Sequence, residues 1–103
     1  MTLIEAVKGG DLETVISLVQ AQVNINQLDN TGTTPLMFAA QAGYQQILQF
    51  LLDSGAELNI QNQNDSSALM MAVKNGHHHI VQQLIQAGAH LDLFNHTLDT
   101  ALI

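Results

Sequence analysis

The chain repeats itself every 33 residues, and that period constrains the fold more than any other feature of the sequence. Leu3, Leu36, Leu69 and Leu102 share one column, Ala6, Ala39 and Ala72 a second, and Gly10, Gly43 and Gly76 a third. Leu18, Leu51 and Leu84 occupy a fourth. A fixed period of this length marks stacked repeats, in which each unit buries its apolar face against its neighbours and the core runs along the stack. The expected units are about 1–33, 34–66 and 67–99, with a fourth beginning at 100–103, all within a single domain over 1–103.

The physical reading of one unit is clearest in the second. Thr34 is suited to cap a helix, and Pro35 fits the first helical position, where its missing N–H would have no partner in any case. Leu36, Ala39 and Ala40 then fall on one face, and Gly43 ends the helix as a residue free to take positive φ. A second helix follows, with Ile47, Leu48, Leu51 and Leu52 on its inner side, and Gly55 stops it. Residues 56–65 carry no helical stripe and are rich in turn formers. In the preceding copy, "DNTG" (29–32) reads as a tight turn with glycine at its end. Helices of roughly 8–10 residues are marginal alone, so they must pack against the same helices of adjacent units. On this reading Leu51 and Leu84 lie between repeats, and Gln49 lies on the outer side of its helix.

Residues 34–59, "TPLMFAAQAGYQQILQFLLDSGAELN", resemble the ankyrin repeat in their T-P-L, A-A, G, L-L, G-A and N positions. Residues 67–92 match nearly as well, and residues 2–26 look like a diverged first repeat. The resemblance covers the whole chain and implies an all-α fold, an ankyrin-repeat α-solenoid of helix-turn-helix units joined by β-hairpin-like loops. Met37 and Met70 depart from the pattern where the family usually has histidine, Ala68 replaces proline, and Gln22 replaces the glycine after the second helix. Asp65 and Leu98 stand where the turn glycine is found at Gly32. These departures bear on local hairpin geometry rather than on the fold.

The chain contains little that suggests chemistry. With no cysteine, disulfides and thiolate metal sites are excluded. "HHH" (77–79) is the most tempting cluster, but adjacent helical residues point about 100° apart, and the positions four beyond are Val81, Gln82 and Gln83. His90 and His96 read as surface residues of a hairpin. The serines and threonines read as caps and turn residues, and neither a glycine-rich phosphate loop nor a paired-carboxylate motif is present. No catalysis, metal or cofactor is expected. Asn26, Asn59 and Asp92 share a column and are expected to hydrogen-bond the turn backbone. The resemblance adds that ankyrin repeats can be hydroxylated at such an asparagine.

Charge narrows the partner. Two lysines and no arginine stand against nine carboxylates, a formal charge of −7. That balance repels phosphate backbones, so nucleic acid is not expected. No apolar run approaches a membrane span and no leader pattern opens the chain, so a cytoplasmic protein without a membrane role is the expectation.

What the resemblance implies about binding is a protein partner on the concave face, met by the hairpin tips and the exposed side of the first helices. By column, the tip candidates are Asn30, Thr31 and Thr33, then Gln63, Asn64 and Ser66, then His96, Thr97 and Asp99. On the first helices they are Lys8, Gln41 with Ala42, and Lys74 with Asn75. Lys8 and Lys74 are the only basic residues and share a column with Gln41 between them, roughly 20 Å apart at ordinary helix spacing. This points to an acidic segment in the partner. Gln45 and Gln82 are expected on the convex face, and Tyr44, the single tyrosine, at the helix junction. With no tryptophan or arginine, few hot-spot residue types are present, which suggests modest affinity or a site extending beyond this segment. The non-catalytic binding module has two rivals, a regulatory or targeting segment of a larger enzyme or effector, and a metal-responsive histidine protein. Finally, Leu91, Leu93 and Phe94 have only residues 97–103 to cover them. The expectation is either a segment of a longer repeat protein or self-association through the C-terminal face.

Overall fold

The computed structural model describes residues 1–89, and the expectations for His90, Leu91, Asp92, Leu93, Phe94, His96, Thr97, Leu98, Asp99 and the fourth unit lie outside it. Within these residues the chain forms six helices and no strand. They are α1 (Leu3–Lys8), α2 (Leu12–Gln20), α3 (Pro35–Ala42), α4 (Gln45–Asp53), α5 (Ala68–Lys74) and α6 (His78–Gln86). The first helices of the units form one row, α1 against α3 against α5, and the second helices form another, α2 against α4 against α6.

Local chemistry sets the boundaries. The Thr34 hydroxyl accepts from the Met37 N–H and Pro35 takes the first turn of α3. Ser67 caps α5 in the same way. The column that holds Thr34 and Ser67 has Met1 in the first unit, which has no capping oxygen. The cap therefore moves one residue inward to Thr2, which forms a reciprocal capping box with Glu5. Gly10, Gly43 and Gly76 all take positive φ where the first helices end.

The core follows the repeat columns. Leu3, Leu36 and Leu69 are buried, as are Ala6, Ala39 and Ala72, whose small side chains let α1, α3 and α5 approach closely. Leu51 and Leu84 are fully buried, while Leu18 in the first unit is half-buried. Ile47 and Leu48 are inward as expected, and Leu52 reaches the core only in part. Met37 and Met70 are buried apolar fillers at the departing positions.

The hairpin departures leave the geometry intact. Gly32 turns with φ +77° and donates its N–H to the Asp29 carbonyl at 3.1 Å. Asp65, one period later, takes φ +59° and donates to the Asn62 carbonyl at 2.9 Å. Gln22 adopts φ +65° in the column of Gly55 and Gly88. Among the described residues, both non-glycine residues in the left-handed region thus stand where a sister repeat has glycine, and each carries the steric cost of that conformation.

Candidate functional site: the first-helix face and the hairpin tips

Adjacent units are joined by contacts at their helix ends and between their hairpin tips. Tyr44 and His77 occupy one column, immediately before α4 and α6, and neither caps its helix with a side-chain hydrogen bond. Instead each ring packs on the glycine that ends the first helix of the preceding unit. A Cβ on Gly10 would lie 3.2 Å from Tyr44 Cζ, and one on Gly43 would lie 2.8 Å from His77 Cε1. His77 Nε2 also lies 2.9 Å from the Gln41 carbonyl oxygen. In the first unit this column holds Asp11, whose carboxylate caps α2 by accepting from the Thr14 N–H. The Tyr44 ring thus sits at the helix junction, and His77 serves a joint between units. Among the described residues no three of His, Cys, Asp and Glu converge on a point where a metal would sit.

The hairpin tips are tied by a directed chain of hydrogen bonds. Asp29 Oδ1 accepts from the Thr31 N–H at 2.8 Å, the Thr31 hydroxyl at 2.7 Å and the Thr33 N–H at 3.0 Å. Thr31 and Thr33 hydroxyls lie 2.8 Å apart. Thr31 gives its single proton to the carboxylate, so Thr33 donates to Thr31 and is left to accept from Asn62 Nδ2, 3.1 Å away in the next unit. These bonds hold the Asp29 carboxyl below its ordinary range, the Thr33 N–H contributing most, then the Thr31 hydroxyl, with a smaller contribution from Lys8. Asn62, one period after Asp29, repeats the turn role by accepting from the Asn64 and Ser66 N–H groups, and adds the donor that a carboxylate lacks. The Gln63 N–H donates to the Thr31 carbonyl at 2.9 Å and Gln63 Nε2 to the Asn30 carbonyl at 3.1 Å.

Two tip candidates therefore need correction. Thr33 is 4% exposed inside the joint, and Ser66 is 9% exposed within its own turn, where its N–H donates to Asn62 Oδ1, so neither is available to a partner's side chains. Asn30, Thr31, Gln63 and Asn64 are exposed at the tips, and Lys8, Gln41, Ala42, Lys74 and Asn75 on the first helices. Gln45 and Gln82 are exposed on the second helices. The Asn26 expectation also needs correction. Its side-chain oxygen accepts from the Glu57 N–H at 2.9 Å, bridging to the next unit rather than closing its own turn.

Sequence reasoning missed Phe38 and Met71. They share a column, three residues before Gln41 and Lys74, and both are half-buried on the first-helix face. The Lys8 ammonium sits 4.6 Å from the centroid of the Phe38 ring, a cation–π contact between units. The available signal was the i, i+3 spacing, which places a helical residue beside its neighbour one turn away. Lys8 also lowers the Glu5 carboxyl slightly, although the Thr2 backbone N–H is the main cause.

The arrangement offers amide and ammonium donors beside two half-buried apolar side chains. The profile of the family described as "Ankyrin repeats (3 copies)" matches residues 2–62 and 51–103. The chain belongs to the ankyrin-repeat family. Ankyrin repeats are generally protein-interaction modules.

Relatives of this ankyrin stack include protein phosphatase 1 regulatory subunit 27 of Mus musculus, 46% identical over 55 residues, which is 53% of this chain and 36% of that protein. BTB/POZ domain-containing protein 3 of Schizosaccharomyces pombe is 42% identical over 57 residues, 54% of this chain and 11% of that protein. Myotrophin of Xenopus tropicalis is 37% identical over 51 residues, 50% of this chain and 43% of that protein. The matched part of the ankyrin stack thus spans less than half the length of each of these relatives. Among its described residues no helix is long and apolar enough to cross a membrane.

Proposed function

We propose that this chain is a non-catalytic binding module, acting in the cytoplasm, that holds a protein partner on the concave face formed by α1, α3, α5 and the hairpin tips. The observation that carries the reading is the division of labour along the repeat columns. Thr33, Tyr44 and His77 are spent on joints between units, while Lys8, Gln41 and Lys74 on the first helices and Asn30, Thr31, Gln63 and Asn64 at the tips remain exposed. A rigid joint presenting a row of exposed polar side chains is suited to recognition, because little ordering cost is left to meet on binding.

Amide NMR shift mapping with a partner captured from cytosol tests this reading. Shifts concentrated in α1, α3, α5 and residues 30–31 and 63–64 support it. Shifts confined to α2, α4 and α6 contradict it.

A second reading is favoured by one of the relatives, whose name makes it a regulatory subunit of a phosphatase. On that reading the chain is the targeting or regulatory segment of a larger enzyme or effector, and the same face does the binding. Sequencing the surrounding open reading frame separates the two, since a fused catalytic domain appears only under the second.

A further inference from the structure

Resting on the concave-face reading above, we propose that Lys74 and Met71 form the anchoring subsite of that face, and that its occupant is an acidic segment of a partner protein carrying an aliphatic side chain beside its carboxylates.

The two lysines share a column and not a situation. Lys8 lies over the Phe38 ring at 4.6 Å, and the carboxylates of Glu5 and Asp29 lie within its field. Its charge is already answered from within the chain. The Lys74 ammonium makes no hydrogen bond, ion pair or ring contact with the described residues, and it is exposed. An ammonium without a counter-charge among the described residues is the one a partner's carboxylate pairs with at least competition.

Lys74 also has an apolar neighbour. Met71 precedes it by three residues on α5, so the two side chains lie on one helix face. Met71 is half-buried, and Phe38 stands one period earlier on α3, which packs directly against α5. At the usual interhelical distance of about 8–10 Å the two make a short apolar stripe ending at Lys74. Methionine adapts its shape to varied aliphatic partners. A carboxylate on Lys74 therefore brings an adjacent apolar side chain onto Met71.

Charge elsewhere directs the same occupant here. On the second helices and their caps the charged side chains are Asp11, Glu13 and Asp53, all carboxylates, whereas both lysines lie on the first helices, with Glu5 beside Lys8 and with Asp29 and Asp65 in the hairpin turns. A carboxylate thus finds an ammonium to pair with on the first-helix side. Charges more than about 8–10 Å away are largely screened at physiological salt, so the local ammonium outweighs the overall negative charge once contact is made.

The test is selection of short random peptides, displayed on phage, against the full chain, followed by titration of a synthetic selected peptide. Selected sequences should combine Asp or Glu with a neighbouring Leu, Ile or Met. Lys74→Gln should weaken binding about fivefold, Lys74→Glu further, and Lys8→Gln by less than about twofold. Met71→Ala should weaken it comparably with Lys74→Gln while Met71→Leu retains it, with thermal melts showing all variants folded. Selected peptides without carboxylates that Gln41→Arg still perturbs, or equal losses at Lys8 and Lys74, overturn this subsite and leave the concave-face reading standing. Peptides insensitive to Gln41→Arg and lost on charge reversal at Gln45 and Gln82 overturn both. Failure to select any binder also overturns the subsite.

Discussion

Asn62 Nδ2 donates to Thr33 Oγ1 at 3.1 Å, across the joint between the first and second units. Both residues are buried, Asn62 to 8% exposure, and the bond closes a chain that ends on the Asp29 carboxylate. Replacing Thr33 by valine keeps the shape and leaves a buried amide N–H without an acceptor. Thr33→Val should therefore cost about 1–3 kcal/mol in urea melts, while Thr33→Ser should recover most of it. Equal stability of the valine and serine variants would show that the bond contributes nothing.

The same turn has a pH signature. The folded Asp29 carboxyl is held below its ordinary value of 3.8, mainly by the Thr33 N–H and the Thr31 hydroxyl. A depressed folded value means that stability is present in full above the unfolded value and is lost as pH falls through the folded one. Asp29→Asn, which copies the Asn62 column, retains an acceptor without the charge. Wild type should exceed this variant near neutrality, and the difference should shrink as acid carries Asp29 through its folded value. A difference that stays constant with pH would contradict the assignment.

The two left-handed non-glycine residues should respond to glycine. Gln22→Gly should stabilise the chain by up to about 1 kcal/mol, since glutamine bears the full Cβ penalty at φ +65°. Asp65→Gly should gain less, because aspartate tolerates this region better. Chemical denaturation of both variants checks the order, and a loss at Gln22→Gly would show that its side chain contributes more than its backbone costs.

Burial between units gives the largest expected effect. Leu51 has no exposed surface, so Leu51→Ala should cost about 2–5 kcal/mol. Gln49→Ala should stay within about 0.5 kcal/mol, since Gln49 is exposed and bonded only to Asp53 and Gln83 side chains. Similar small changes at both positions in urea melts would argue against stacking through the Leu51 column.

What could be read from the sequence was local. Thr34, Pro35 and Gly43 begin and end α3 through contacts within a few residues, and the leucine and alanine columns declare themselves by period. What could not be read was contact between units. Lys8 reaching Phe38, His77 reaching Gly43 and Asn62 reaching Thr33 join residues about thirty apart, and such meetings depend on the pitch of the stack. Thr33 faces the joint rather than solvent for the same reason. In a hairpin one side chain faces solvent and the next faces the joint, and only the pairing of neighbouring hairpins decides which. His77 shows the limit most clearly, since helical spacing argued against a ligand set in the histidine run but gave no role to its first ring, which in space is packed on a glycine of the preceding unit.

The most direct test of the central claim is a paired charge reversal, with affinity for a captured partner measured by calorimetry. Lys8 and Lys74 are exposed on the first-helix face, and Gln45 and Gln82 are exposed on the second helices. If the first-helix face is the working surface, Lys8→Glu with Lys74→Glu should weaken binding far more than Gln45→Glu with Gln82→Glu, and the loss should shrink as salt screens the charges. Equal losses from the two pairs, or a greater loss from the glutamine pair, would contradict the account.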